Sequence, residues 1–117
     1  MNWYVAKIIY RIVCGDGDHS AQFDEQLRLF EAGTLSEALQ KARSTGEGEA
    51  VSFFNNKQQM VQWQFVDVSH IYKLHQVVDG TELWSRIEER EDGEAYEYFV
   101  RQKAAEIKAL MPDMQFT

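Results

Sequence analysis

The chain has 117 residues, a formal charge of -7, 44% apolar and 26% charged side chains, and a single cysteine. That length suits one domain with its own core, and the composition excludes disordered and collagen-like classes. The acidic balance opposes binding to nucleic acid phosphates or anionic membranes. A lone Cys14 excludes an intramolecular disulfide and a multi-cysteine zinc site, and it fits a reducing, cytoplasmic setting.

Trp3 to Cys14 is β-branched and aromatic on both alternating sets, Tyr4/Ala6/Ile8/Tyr10/Ile12 and Trp3/Val5/Ile9/Val13, as in a central strand covered on both faces. Lys7 and Arg11 interrupt the run, and no small-residue cleavage site follows, so it is not read as a leader. Gly15 to Ser20 is turn chemistry, and Gln22 to Glu31 resumes the alternation, which predicts a long-looped hairpin. Centring the loop near Asp18 sets Val13 opposite Phe23, Arg11 opposite Glu25 and Ile9 opposite Leu27.

Thr34-Leu35-Ser36-Glu37 has the capping-box pattern, and Leu35, Ala38, Leu39 and Ala42 continue at helical spacing to a stop at Gly46. Val51 to Phe54 and Met60 to Val68 flank the polar turn Asn55-Asn56-Lys57. His70 to Val77 and Glu82 to Glu89 flank Asp79-Gly80, predicting a third hairpin. The last element begins around Asp92 and ends at Pro112, with acidic residues early and Lys103 and Lys108 late, as the helix dipole favours. The expected fold is therefore α+β, a single mainly antiparallel sheet built from hairpins in the order β-β-α-β-β-β-β-α with helices packed on it. It forms one domain over residues 1–112, and 113–117 is a frayed tail.

The segments Trp3-Tyr4-Val5-Ala6-Lys7-Ile8-Ile9-Tyr10-Arg11-Ile12, Phe23 to Phe30, Val61-x-Trp-x-Phe-x-x-Val68 and Asp79-Gly80-x-Glu82-Leu83 occur in one order along the chain. In these it resembles the uncharacterised bacterial family known as domain of unknown function 4288, from Trp3 to about Glu89. The resemblance implies a small, usually stand-alone bacterial protein and carries no activity, cofactor or catalytic residue with it.

Among candidate sites, the loop Asp16-Gly17-Asp18-His19-Ser20 gathers two carboxylates and an imidazole. Counted as a calcium loop from Asp16 it puts Ala21 where glycine is required and Leu27 where glutamate is, so it reads as a solvated hairpin loop. His19, His70 and His75 lack zinc spacing, and no nucleophile elbow or phosphate-binding glycine loop occurs. No metal, cofactor or catalytic set is assigned.

Glu25 alternates with Phe23, Leu27 and Leu29, which places it on the more apolar face of its strand. Arg11 is its expected cross-strand partner, and Lys7, Arg11 and Glu25 form either a structural ion-pair set or a pocket for an anionic ligand. On the final helix Tyr96, Phe99, Val100, Ala104, Ile107, Leu110 and Met111 form a broad stripe expected to dock on the sheet. Ala95, Tyr98, Gln102, Ala105 and Ala109 recur on another side at helix-helix spacing, a candidate homodimer or partner seam, and Trp84 is a candidate exposed anchor.

These features favour a non-catalytic binding or protein-interaction module, with self-association as one form of it. The alternatives are a small-molecule sensor with an Arg11/Glu25 pocket, or an immunity or antitoxin-like protein that neutralises a basic partner. An enzyme ranks last, because no nucleophile, base and electrophile assemble from the spacing.

Overall fold

A computed structural model describes residues 1–111. The elements are β1 (Asn2–Cys14), β2 (Gln22–Ala32), α1 (Leu35–Gly48), β3 (Val51–Phe54), β4 (Met60–Leu74) and α2 (Gly93–Ala109). The four strands form one antiparallel sheet in the spatial order β2-β1-β4-β3. This is the expected α+β architecture. The chain separates into two compact units, one from Met1 to Trp84 and a second beginning at Ser85.

In the first unit β1 lies between β2 and β4, as its two apolar faces require. The face bearing Tyr4, Ala6, Ile8 and Tyr10 is buried under α1, which presents Ala38, Ala42 and Gly46 to it. Small residues let the helix axis come close to the sheet, and Phe30, Trp63, Phe65, Val68 and Ile71 complete the core. The N-terminus of α1 is closed reciprocally: Glu37 N donates to Thr34 Oγ1 at 3.1 Å, and Gly33 N donates to Glu37 Oε2 at 3.0 Å.

Gly46 does not stop the helix, which continues to Gly48 with Glu49 as its C-cap. Its role is close approach, since the ring of Phe65 occupies the space a Cβ would need. Beside it the Tyr10 hydroxyl donates to the Gly46 carbonyl at 2.8 Å. Burial pushes the Tyr10 phenol above its ordinary pKa, with the Glu49 carboxylate adding to the effect. Tyr10→Phe is therefore expected to cost about 1 kcal/mol at neutral pH in urea unfolding. Because the raised pKa favours the protonated phenol in the folded state, that stability is present below pH 10.0 and declines as pH rises through the folded value. The variant should lose less stability than the parent on alkaline titration, and equal loss in both would refute the assignment.

The β1–β2 pairing differs from the expected register by two residues: Arg11 lies opposite Phe23, Ile9 opposite Glu25 and Lys7 opposite Leu27. The turn closes earlier than expected because Gly15 and Gly17 take positive φ of 61° and 82°, and Gly17 N donates to Cys14 O. His19 seals the loop, accepting from Cys14 N at Nε2, which leaves Nδ1 to donate to the Ser20 carbonyl. The helix-covered face of β2 is also the less apolar one, carrying Asp24, Gln26, Arg28, Phe30 and Ala32, whereas Phe23, Glu25, Leu27 and Leu29 lie on the other face and are exposed.

Between Leu74 and Gly93 the expected turn forms, with Gly80 at φ 88° and Thr81 N donating to Val78 O, but Glu82 to Glu89 makes no strand. The Tyr72 hydroxyl donates to the Leu83 carbonyl and the Trp84 ring meets those of His70 and Tyr72. Ring packing over the sheet thus takes the place of a strand ladder along its edge.

In the second unit α2 starts on Asp92, whose Oδ1 accepts from Ala95 N at 3.0 Å, and Glu88 pairs with both Arg86 and Arg90. The Arg90 hydrogen bond holds the Glu88 carboxyl below the usual range. Tyr96, Phe99, Val100, Ile107 and Leu110 of the apolar stripe are exposed, and α2 contains no buried residue. The expected frayed segment 113–117 and the stop at Pro112 lie outside the described residues.

Candidate binding surfaces

Of the three charged residues singled out in the sequence, the fold joins two. Lys7 Nζ lies 3.1 Å from Glu25 Oε1 and 5.2 Å from the centre of the Trp84 ring. The pair is diagonal across β1 and β2, because the residue opposite Glu25 is Ile9. Arg11 stands apart, its guanidinium 5.7 Å from the centre of the Phe23 ring. Around Lys7 the arrangement is a carboxylate and an indole holding one ammonium.

Trp84 is half-buried on the sheet face opposite α1, outside any strand, with its ring against those of His70 and Tyr72. Ala95, Tyr98, Gln102, Ala105 and Ala109 are all exposed on α2. Among the described residues no group of His, Cys, Asp and Glu is placed to hold a metal ion. In the loop Asp16 Oδ1 instead accepts from Asp18 N at 3.0 Å.

Two features were not found in the sequence. The first is the state of the sheet edges. Strand β2 is an edge strand, and its register with β1 runs unbroken from Asn2↔Ala32 to Ile12↔Gln22, without bulge or proline. Its outer face leaves Phe23, Leu27 and Leu29 at 53%, 45% and 43% exposure. The opposite side of the sheet is guarded differently: beyond the short β3, the ladder of β4 with β1 shifts register between Lys7 and Ile8 and again between Ile9 and Tyr10. Ser69 and Val66 are the residues left out of those pairings, and such bulges make an edge a poor template for another strand.

The second is a chain of polar contacts on the helix-covered face, past the end of α1. Trp63 Nε1 donates to Asp24 Oδ2 at 3.1 Å, Gln26 Nε2 donates to the same oxygen at 2.7 Å, and Arg28 Nη1 donates to Gln26 Oε1 at 3.2 Å. Arg28 Nη1 also reaches Glu49 Oε2 at 2.8 Å. Alternation placed Asp24, Gln26 and Arg28 on one strand face, but only the tertiary fold brings Trp63 and Glu49 to them.

Among known proteins, a family model described as a domain of unknown function, DUF4288, matches residues 3–85. No curated protein and no solved structure matches the chain.

Proposed function

The chain belongs to the DUF4288 family, and we propose that it works as a non-catalytic interaction module that self-associates by pairing the β2 edges of two copies. The observation that carries this reading is the long, unbulged β2 edge with an exposed apolar side, while on the other side of the sheet β3 is short and β4 beyond it is bulged. Antiparallel pairing of a strand with its own copy about a two-fold axis is an isologous contact, and it satisfies backbone groups that are otherwise left to water.

The side chains favour one register. With Gln26 on the two-fold axis, Leu29 faces Phe23 of the second copy on the outer side, and Arg28 faces Asp24 on the helix side. In the same register Leu27 faces Glu25, whose carboxylate is drawn toward Lys7 of its own copy. Lys41 Nζ caps the Glu31 carbonyl at 2.8 Å, which confines the pairing to the stretch before it. A reducing, cytoplasmic compartment suits the free Cys14 thiol. No helix among the described residues is long and apolar enough to cross a membrane.

Sedimentation over a rising concentration series tests the proposal. The parent is expected to form a dimer, and the double variant Phe23→Lys, Leu29→Lys is expected to be a folded monomer, because it sets ammonium groups opposite each other at exposed positions. A parent that stays monomeric at high micromolar concentration, or a dimer that survives the double substitution, overturns it. Ala105→Glu on α2 should leave association unchanged; if that change alone abolishes the dimer, the helix seam is the interface instead.

A further inference from the structure

Past the C-terminal end of α1, a cavity of about 300 Å³ opens over the helix-covered face of the sheet. Tyr10, Gln26, Arg28, Glu49, Phe53 and Trp63 line it, with Val51 at the side. One copy lines the whole cavity; the β2 edge pairing also engages Gln26 and Arg28 but not Phe53, Trp63 or Glu49, so the Phe53 and Glu49 variants test the cavity apart from that pairing.

One side is aromatic: Phe53 and Trp63 both line the cavity, and their rings stack on each other with centroids 5.9 Å apart and planes 24° from parallel. The indole is held in place by its hydrogen bond to Asp24, and the Tyr10 hydroxyl is committed to the Gly46 carbonyl. A preorganised aromatic wall favours a flat ring laid against it, because little side-chain entropy remains to be lost on binding.

The polar side of the cavity sets the charge of the ligand. Arg28 and Glu49 are paired at 2.8 Å, so a cation entering beside them meets the guanidinium and an anion meets the carboxylate. Each also keeps hydrogen-bonding capacity that the pair does not use. Arg28 contacts Gln26 and Glu49 through Nη1, leaving Nη2 and Nε as donors, and Glu49 contacts Arg28 through Oε2, leaving Oε1 as an acceptor. Gln26 Nε2 keeps a second hydrogen beyond the one given to Asp24. The polar lining thus holds both donors and an acceptor, the two kinds of group that the edge of a heteroaromatic ring carries.

Size narrows the class further. Ligand pockets run from roughly 300 to 1,000 Å³, so this cavity takes one or two fused rings and no attached sugar phosphate. We propose that the Gln26/Arg28/Glu49/Phe53/Trp63 cavity binds a small, uncharged, planar heteroaromatic molecule, stacked on the Phe53–Trp63 wall and read at its edge by Gln26, Arg28 and Glu49.

The test is titration of the full-length protein followed by nuclear magnetic resonance of the Trp63 indole N–H and the Gln26 side-chain amide. The probes are adenine, hypoxanthine, cytosine and quinazolin-4-one, with benzoate and benzyltrimethylammonium as the charged counterparts. At least one neutral probe is expected to shift both resonances saturably below millimolar concentration, ahead of both charged ones. Phe53→Ala, at an exposed position, should weaken that probe about tenfold, the scale of one lost ring stack. Glu49→Gln removes the balancing carboxylate without changing shape and should raise the affinity for benzoate. If none of the four neutral probes moves the two resonances at millimolar concentration, the proposal fails. It also fails if a charged probe binds the parent as tightly as a neutral one, or if binding is unchanged in Phe53→Ala.

Discussion

Gly46→Ala is expected to destabilise the protein by about 2–3 kcal/mol, the opposite sign to the effect of the same change in an ordinary helix interior. Alanine normally gains about 1 kcal/mol over glycine there, because it restricts the unfolded chain and covers backbone. Gly46 faces inward, however, and an added Cβ would lie 2.7 Å from Phe65 Cδ1, nearer still to Cε1, and 3.2 Å from Ile8 Cγ2. Phe65 cannot retreat freely, since its ring sits edge-on to Tyr10 at 6.1 Å between centroids. The helix must then lift from the sheet, which also lengthens the Tyr10 bond to the Gly46 carbonyl. Urea unfolding measures the loss, and Gly48→Ala is the control, because a Cβ at Gly48 meets nothing within 4 Å. Gly48→Ala should be neutral or slightly stabilising. Adding Phe65→Leu to Gly46→Ala should recover part of the loss; the absence of any coupling would show that the helix accommodates the methyl elsewhere.

The second large effect is an asymmetry between two halves of one ion pair. The Lys7 side chain is only 12% exposed, whereas that of Glu25 is 54% exposed. Removing the carboxylate with Glu25→Ala leaves an ammonium that is mostly withdrawn from water, with the Trp84 ring as its remaining neighbour. Such a charge is costly without its partner, and we expect a loss of about 1–2 kcal/mol, discounted from fully buried pairs because Glu25 is half in solvent. Lys7→Met keeps the aliphatic stem against Trp84 and returns Glu25 to water, so it should cost less than about 0.5 kcal/mol. The two variants, unfolded in urea side by side, decide whether the pair is a neutralised inner cation or an ordinary surface bridge. Equal small losses would mean that Lys7 reaches solvent once Glu25 is gone.

Much of the architecture is legible without coordinates because it rests on periodicity and local chemistry. The two-sided apolar run of β1 states that it is central, and Thr34 and Glu37 mark where α1 begins. Asp92 marks the start of α2 in the same way. These signals act within a few residues, so the chain carries them whatever it packs against.

Partners across the sheet are another matter. A two-residue difference in the β1–β2 turn preserves which side chains share a face, since the strand period is two, but it replaces Arg11 by Lys7 as the partner of Glu25. Nor does alternation on β2 say which face the helix will cover. Phe23, Leu27 and Leu29 make the more apolar set, yet the small residues Ala38, Ala42 and Gly46 dock on the face that carries Asp24, Gln26 and Arg28. Gly46 itself reads as a helix stop by local rules and proves to be a contact, because the ring that needs the space comes from Phe65 on a distant strand.

The class of the fold, the order and ends of most of its elements, and the central place of β1 follow from the chain alone, because short-range hydrogen bonding and hydrophobic periodicity decide these. Which edge of the sheet is open, which face of β2 is left to solvent, and that Trp63, Gln26, Arg28 and Glu49 surround one cavity emerge with the folded chain. Those properties depend on loop closure and on the choice of covering face, which are set by contacts between residues far apart in the chain.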